Sequence, residues 1–322
     1  MTERQVEIGR TGVRIPAICF GTSALGDMPG TYGYGVEEET ARATIRAILA
    51  REDGFLDTSR NYGMGRSEAR IGQVVRELGG WPAGRVLSTK LDRDMETRRF
   101  DGDRARRSLE ESLAALGVDQ IDILHLHDPE YALDLGEITG KGGALDALMR
   151  MKAEGIVRAV GLAAGRIDVM TPLLRDWDFD VLITHNRYTL VNRNAEPLIE
   201  LAVERGVSVL NAAPYAGGAL AKGAAAYGRY VYQEASAEVL APIARIEAIC
   251  DRHGVPTGAA ALQFSIRDPR IASTICGVSK PDRIEQTLAW AAWPIGRQVW
   301  DELLAAPFAT DDPEATRDYR PE

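Results

Sequence analysis

Arg104-Ala105-Arg106-Arg107-Ser108-Leu109-Glu110-Glu111-Ser112-Leu113-Ala114-Ala115-Leu116-Gly117, followed four residues on by Ile121-Asp122-Ile123-Leu124-His125-Leu126-His127, is one helix feeding one strand. The first run carries apolar positions at helical spacing and stops at a glycine, which accepts the left-handed cap that ends a helix. The second is of strand length and carries apolar residues at Ile121, Ile123, Leu124 and Leu126. Strand-length apolar runs that alternate with amphipathic helical segments are the signature of parallel βα units.

The same unit recurs outward in both directions. Strands are predicted at residues 17–21, 54–57, 86–90, 121–127, 157–163, 180–184, 207–211 and 271–276. Helical patterns fall at 38–50, 67–78, 104–116, 145–154, 195–205, 239–253 with 258–266, and 281–290, and several end at a glycine (Gly79, Gly117, Gly155, Gly206). Eight parallel strands with short αβ turns close most simply into a (β/α)8 TIM barrel. Residues 5–8 and 13–15 around Arg10-Thr11-Gly12 form a predicted hairpin that plugs the barrel's N-terminal end. The expected organisation is a single barrel domain over 1–322, with residues 1–16 as hairpin cap and 307–322 as a polar tail, either mobile or folded over the C-terminal face. The long irregular stretches 22–36, 91–101, 128–142 and 214–236 each follow a strand. They lie on the C-terminal face, where barrel enzymes build their sites.

Composition narrows the function classes. The net charge of −9 is interspersed, with no basic face for nucleic acid. No apolar run approaches the length of a membrane span, and the N-terminus lacks the apolar core of a secretory signal. Cys19, Cys250 and Cys276 are three and far apart, which suits neither a disulfide framework nor a zinc site. The expectation is a cytoplasmic enzyme acting on a small molecule, with buried thiols, no metal, no nucleic-acid partner and no membrane.

Three consecutive strands end in ionisable residues: Phe55-Leu56-Asp57, Ser88-Thr89-Lys90 and His125-Leu126-His127. In a closed barrel these ends are neighbours, so an acid, an amine and an imidazole meet at one mouth. Tyr62, five residues beyond Asp57, returns over the same mouth through a turn. An ammonium beside a phenol favours the phenolate, so a Tyr62 pKa lowered from about 10 is expected, giving a group that exchanges a proton near neutrality. Carbonyl reduction needs that exchange, because hydride arrives at carbon while a proton goes to oxygen. His127 would orient the carbonyl and stabilise charge on its oxygen.

These motifs, with Thr58-Ser59-Arg60-Asn61-Tyr62-Gly63, Ser67-Glu68 and Leu126-His127-Asp128-Pro129, resemble those of the aldo-keto reductases in family order, over residues 12–288. The resemblance implies Asp57, Tyr62, Lys90 and His127 as a catalytic tetrad. It also implies NAD or NADP bound extended over the barrel mouth without a Gly-x-Gly-x-x-Gly turn. The cofactor side departs from the family. Ala163-Ala164 stand where Ser-Asn is usual, His185 where Gln is usual, and Ala212 where an aromatic stacks on the nicotinamide. His185 or Asn186 is the expected carboxamide partner, and either Tyr215 stacks on the ring instead or nothing does. Gly277, Ser279, Lys280 and Arg283, opening a helix, match the adenosine-phosphate segment. Gly277 stands where many NADP-using relatives carry Lys, which favours NAD.

Residues 11–12 to 25–26, Arg187-Tyr188 and Ala212-Ala213-Pro214 resemble the aldose 1-dehydrogenases, which oxidise the anomeric carbon of sugars to a lactone. The expected function is therefore aldose oxidation at C1, with NADPH-dependent reduction of an aldehyde or ketone as the alternative. Two remote readings also stand: a metal-dependent hydrolase using His125 and His127, with His125 otherwise a packed, hydrogen-bonded core residue, and a non-catalytic cofactor-sensing subunit.

Overall fold

The computed structural model describes residues 4–317. Its first two strands, β1 (Gln5–Glu7) and β2 (Arg14–Pro16), pair antiparallel with Val6 opposite Ile15. Eight further strands run parallel: β3 (Ile18–Gly21), β4 (Phe55–Asp57), β5 (Val86–Leu91), β6 (Ile121–His127), β7 (Val157–Ala164), β8 (Val181–His185), β9 (Ser208–Ala212) and, after a two-stranded ribbon of β10 (Arg229–Tyr230) and β11 (Gln233–Glu234), β12 (Ile271–Gly277). They close in the order β12-β3-β4-β5-β6-β7-β8-β9, a (β/α)8 TIM barrel. Closure removes every sheet edge, and the helices cover the outside.

The alternation of side chains along each strand divides the core in two. Ile8, Val13 and Ile15 of the hairpin join Phe55, Val86, Ile123 and Leu210 in an interior cluster, so the hairpin stoppers the N-terminal end. The Arg158 guanidinium donates to the Gly12 carbonyl at 3.1 Å and ties the hairpin turn to β7. The larger cluster lies between strands and helices. One interior position depends on a missing side chain, because a Cβ on Gly161 would stand 2.3 Å from His125 Nδ1. His125 fills that space and is fully buried, but neither ring nitrogen has a hydrogen-bond partner. It is thus packed as expected but not hydrogen-bonded, and burial next to the Lys90 charge pushes its pKa well down.

The helices fall where the periodicity places them, within three residues at each end. Besides short helices of four or five residues in the loops, two longer ones were not among those read from the sequence. Ile167–Asp176 carries Pro172 in its interior, which obscures the pattern, and Arg297–Ala305 follows the last predicted helix. Beyond it the tail turns back across the C-terminal face instead of leaving the barrel. Ala309 N–H donates to Val191 O at 2.9 Å, and its own carbonyl accepts from Arg193 N–H at 2.8 Å. Residues 318–322 of the predicted tail lie outside the described residues.

Helix Arg66–Glu77 buries Glu68 against β5, where Thr89 Oγ1 donates to Glu68 Oε1 at 2.7 Å and Arg60 stays 3.9 Å from Oε2. Burial raises this carboxyl to about 7 against the pull of Thr89, Ser112 and Arg60. The folded state therefore keeps a proton that the unfolded chain has already lost, and stability falls as pH rises through that window. Glu68→Gln should be more stable than the wild type at pH 8 by about 1–3 kcal/mol, with the advantage shrinking toward pH 5. Chemical unfolding at both pH values checks this, and an equal difference at the two would refute it.

Candidate active site

Asp57 ends β4, Lys90 lies in β5 level with His125 of β6, and His127 ends β6 one pleat higher. Lys90 Nζ donates to Asp57 Oδ2 at 2.7 Å and to Thr58 O at 2.6 Å, and Ser88 Oγ donates to Asp57 Oδ1 at 2.8 Å. Tyr62 is delivered by the turn after β4. Gly63 adopts a left-handed φ of 62° there, and a Cβ on it would fall 1.9 Å from Gly26 O. That close approach seats the turn on the first long loop. The phenol ring then lies with Lys90 Nζ 4.7 Å from its centroid and meets the His127 ring edge-on, centroids 5.9 Å apart. All four residues read from the sequence meet at one mouth.

The phenol departs from expectation. Burial, together with the Asp57 and Asp128 carboxylates, pushes the Tyr62 pKa well above its ordinary value. The Lys90 charge is already neutralised by Asp57, so it cannot outweigh the loss of water. Tyr62 is a neutral phenol in this state.

His127 is held from behind by a residue that the sequence reading missed. Its Nδ1 lies 2.7 Å from Asp92 Oδ1 and 3.2 Å from Ser59 Oγ, while Asp92 Oδ2 accepts from Ser59 Oγ and from Asn61 N–H at 2.9 Å. Burial alone would lower the imidazole pKa, but Asp128 and Asp92 outweigh it and raise it. Asp92 sits two residues past Lys90, just beyond the end of β5, and its position after a strand was the one available signal. Asp92 presents the imidazole with Nε2 toward the mouth, 3.7 Å from Asp128 Oδ2. Replacing Asp92 with Asn removes one of two carboxylates that favour the imidazolium, so the His127 pKa should fall. NMR titration of the four histidines, assigned by single substitutions, measures the shift, and an unchanged His127 would rule out this role for Asp92.

From this mouth a cavity of about 410 Å3 extends along the C-terminal face to β12 and the helix Asp282–Ala291. His185 lines it, whereas Asn186 is fully buried and does not. Gly277, Ser279 and Arg283 line the far end. Lys280 does not. It points outward, half-exposed and 3.5 Å from Asp282. Tyr215 packs edge-on against Trp290 with its hydroxyl 3.9 Å from Cys276 Sγ, which places it on the Arg283 side of the cavity and not beside the tetrad. The sequence reading also missed Lys222, whose ammonium lies 3.9 Å from the Tyr227 ring centroid and faces this cavity. Desolvation, with Arg283 and Arg229 nearby, lowers its pKa to about 8.

The Aldo/keto reductase family model matches residues 17–306, nearly the whole barrel. The chain belongs to this family. It is an NAD(P)-dependent oxidoreductase. It is 30% identical to D-threo-aldose 1-dehydrogenase of a Pseudomonas species, over 95% of this chain and 98% of the relative. It is 28% identical to pyridoxal 4-dehydrogenase of Microbacterium luteolum, over 92% and 95%. L-galactose dehydrogenase of Arabidopsis thaliana is 30% identical over 88% and 86%. Among solved structures, an aldo-keto reductase of Bacillus halodurans in its holo form superposes with a TM-score of 0.75 at 21% identity, covering 97% of this chain and 99% of that one.

The cavity of this aldo-keto reductase fits an extended dinucleotide. Among the described residues neither Lys222 nor Arg283 forms an ion pair with a carboxylate, so two cations at one end remain to meet phosphate. A Cβ on Gly277 would meet nothing within 4 Å, which leaves open space beside them.

Proposed function

We propose that this aldo-keto reductase oxidises an aldose at C1 to the lactone with NAD+, and that Asp57, Tyr62, Lys90 and His127 form its catalytic tetrad. The similarity to D-threo-aldose 1-dehydrogenase along almost all of both chains carries this reading. The polar wall around the mouth supports it, with Ser23, Asp128 and Tyr232 lining the space a sugar would fill. In water an aldose closes to a cyclic hemiacetal, whose C1 bears one hydrogen and one hydroxyl. A bound oxidised nicotinamide would supply the hydride acceptor.

The chain's own residues handle the proton. His127 Nε2 holds the C1 oxygen, and Tyr62 Oη takes the hydroxyl proton as the C1–O bond becomes a carbonyl. Lys90, anchored on Asp57, holds its ammonium against the phenol ring but does not outweigh burial, so the phenolate this requires forms only as pH rises. Ser279, Lys222 and Arg283 would hold the adenosine half and His185 the carboxamide. We further read residues 1–322 as one barrel domain with its hairpin and tail. The three free, buried cysteines support a cytoplasmic location.

A neutral Tyr62 favours the opposite direction, since a phenol that keeps its proton is a general acid for carbonyl reduction. Oxidation then needs the phenolate and should accelerate as pH rises from neutral into the alkaline range. Initial rates with NAD+ on a panel of aldoses and pyridoxal, and with NADPH on aldehydes, separate the two readings. Lactone formation from an aldose supports the first, and aldehyde reduction without aldose oxidation overturns it. Tyr62→Phe should lower turnover by about 100-fold or more while cofactor affinity is retained. Near wild-type turnover would refute the proton role.

NAD+ should serve at least as well as NADP+. Lys280 faces away and Gly277 offers no cation, so fewer charges remain for a 2′-phosphate, and each missing contact costs about tenfold in affinity. Comparing kcat/KM for the two cofactors at fixed sugar decides this. A hundredfold preference for NADP+ that Arg283→Ala abolishes would show that Arg283 suffices.

A further inference from the structure

The cavity wall where β7, β8 and β9 end is nearly bare of hydrogen-bonding side chains. Ala163 and Ala164 close β7 and Ala212 closes β9, directly across from His185 in the register. His185 is therefore the polar side chain at this point of the wall, and what holds its ring matters.

The holder comes from the far end of the chain. The C-terminal strap is sewn onto the loop after β8 through the two Ala309 backbone bonds, through Asn192 Nδ2 donating to Asp311 O at 2.9 Å, and through Arg187 paired with Asp312 at 2.6 Å. These anchors drive Glu314 inward until its side chain is 3% exposed. Its Oε1 lies 3.2 Å from His185 Nε2, accepts from Asn186 Nδ2 at 2.8 Å and sits 3.2 Å from Arg187 Nη1, while Oε2 takes Arg317 Nη1 at 2.7 Å. Asn186 holds a left-handed backbone, φ 59°, to reach this carboxylate. Burial alone would raise the Glu314 pKa, but His185, Arg187 and Arg317 keep it far below the usual range, so it is acceptor-only.

We propose that Glu314 is a positioning residue for the nicotinamide: it accepts the His185 Nε2–H, fixes that tautomer and ring orientation, and leaves Nδ1 to accept an N–H of the carboxamide. A carboxylate behind an imidazole sets which nitrogen carries the proton. A wall that lacks amide side chains thereby gains one oriented acceptor, supplied through a residue more than 120 positions away. The inference rests on the family's nicotinamide cofactor and not on the sugar reading.

The test compares NAD+ with ADP-ribose, which keeps the adenosine half and lacks the nicotinamide. Dissociation constants are measured by calorimetry on the full chain, with thermal melting to verify folding. Glu314→Gln should weaken NAD+ by about tenfold and leave ADP-ribose within about twofold. His185→Leu, which keeps Glu314 paired with both arginines, isolates the same contact if Glu314→Gln does not fold, and should give the same pattern. His185→Gln carries its own donor and acceptor, so in that background Glu314→Gln should change NAD+ affinity little. Equal weakening of NAD+ and ADP-ribose, no change in either, or undiminished loss in the His185→Gln background would each overturn the proposal. A failure of the sugar reading would appear separately, as absent aldose turnover with these constants intact.

Discussion

The contact between Lys90 and Asp57, 2.7 Å long and almost wholly out of water, is the constraint on which the mouth depends. Removing either partner would strand a buried charge, typically a loss of about 3–5 kcal/mol, so both must stay. The pair is satisfied on every side, by Ser88 on the carboxylate and by the Thr58 carbonyl on the ammonium. That satisfaction draws the first residue of the turn after β4 against β5. Tyr62 is carried on this turn, and Gly63 and Gly26 permit the backbone contact that seats it. The ion pair thus places the phenol, although it neutralises the charge that would otherwise lower the phenol's pKa.

How much of this was legible in sequence follows from the range of the interactions concerned. Strands and most helices are local, and their apolar periods and glycine stops placed them. Asp57, Lys90 and His127 were legible because a closed parallel barrel turns consecutive strand ends into neighbours. Asp92 was not, since it contacts His127 from just past its strand end, where a charged residue ordinarily meets solvent. Glu314 was less legible still, because nothing local distinguishes a glutamate in a polar tail from its neighbours until the tail has folded back. The sign of the Tyr62 shift was misjudged for a related reason: it depends on how completely Asp57 takes up the Lys90 charge, a matter of a few ångströms in three dimensions.

The barrel interior shows the same economy of space. His125 is as buried as any aliphatic neighbour yet hydrogen-bonds nothing, and it fits only because Gly161 opposite has no side chain. With Lys90 beside it, a second proton there would be doubly unfavourable, so the imidazole stays neutral. It serves as an aromatic filler beneath the ion pair, leaving the cationic charge at this level to Lys90 alone.

A net charge of −9 conceals a division along the cavity. At the tetrad end Asp57 is paired with Lys90 and Glu314 with Arg187 and Arg317, and the carboxylate field that reaches Tyr62 and His127 shows in their pKa shifts: Tyr62 raised by Asp57 and Asp128 on top of burial, and His127 raised against burial by Asp128 and Asp92. At the other end the sign reverses, and Lys222 is lowered by desolvation and then by Arg283 and Arg229. A nicotinamide dinucleotide carries its pyrophosphate between its two nucleosides and, when oxidised, a cationic ring at one end. The cavity presents the complementary order, cations toward the helix Asp282–Ala291 and carboxylates around Tyr62. A nicotinamide ring seated at the acidic end would be stabilised more in its oxidised, cationic form than in its neutral form. Hydride acceptance would discharge that ring, so a field that favoured binding of the oxidised form would also oppose its reduction.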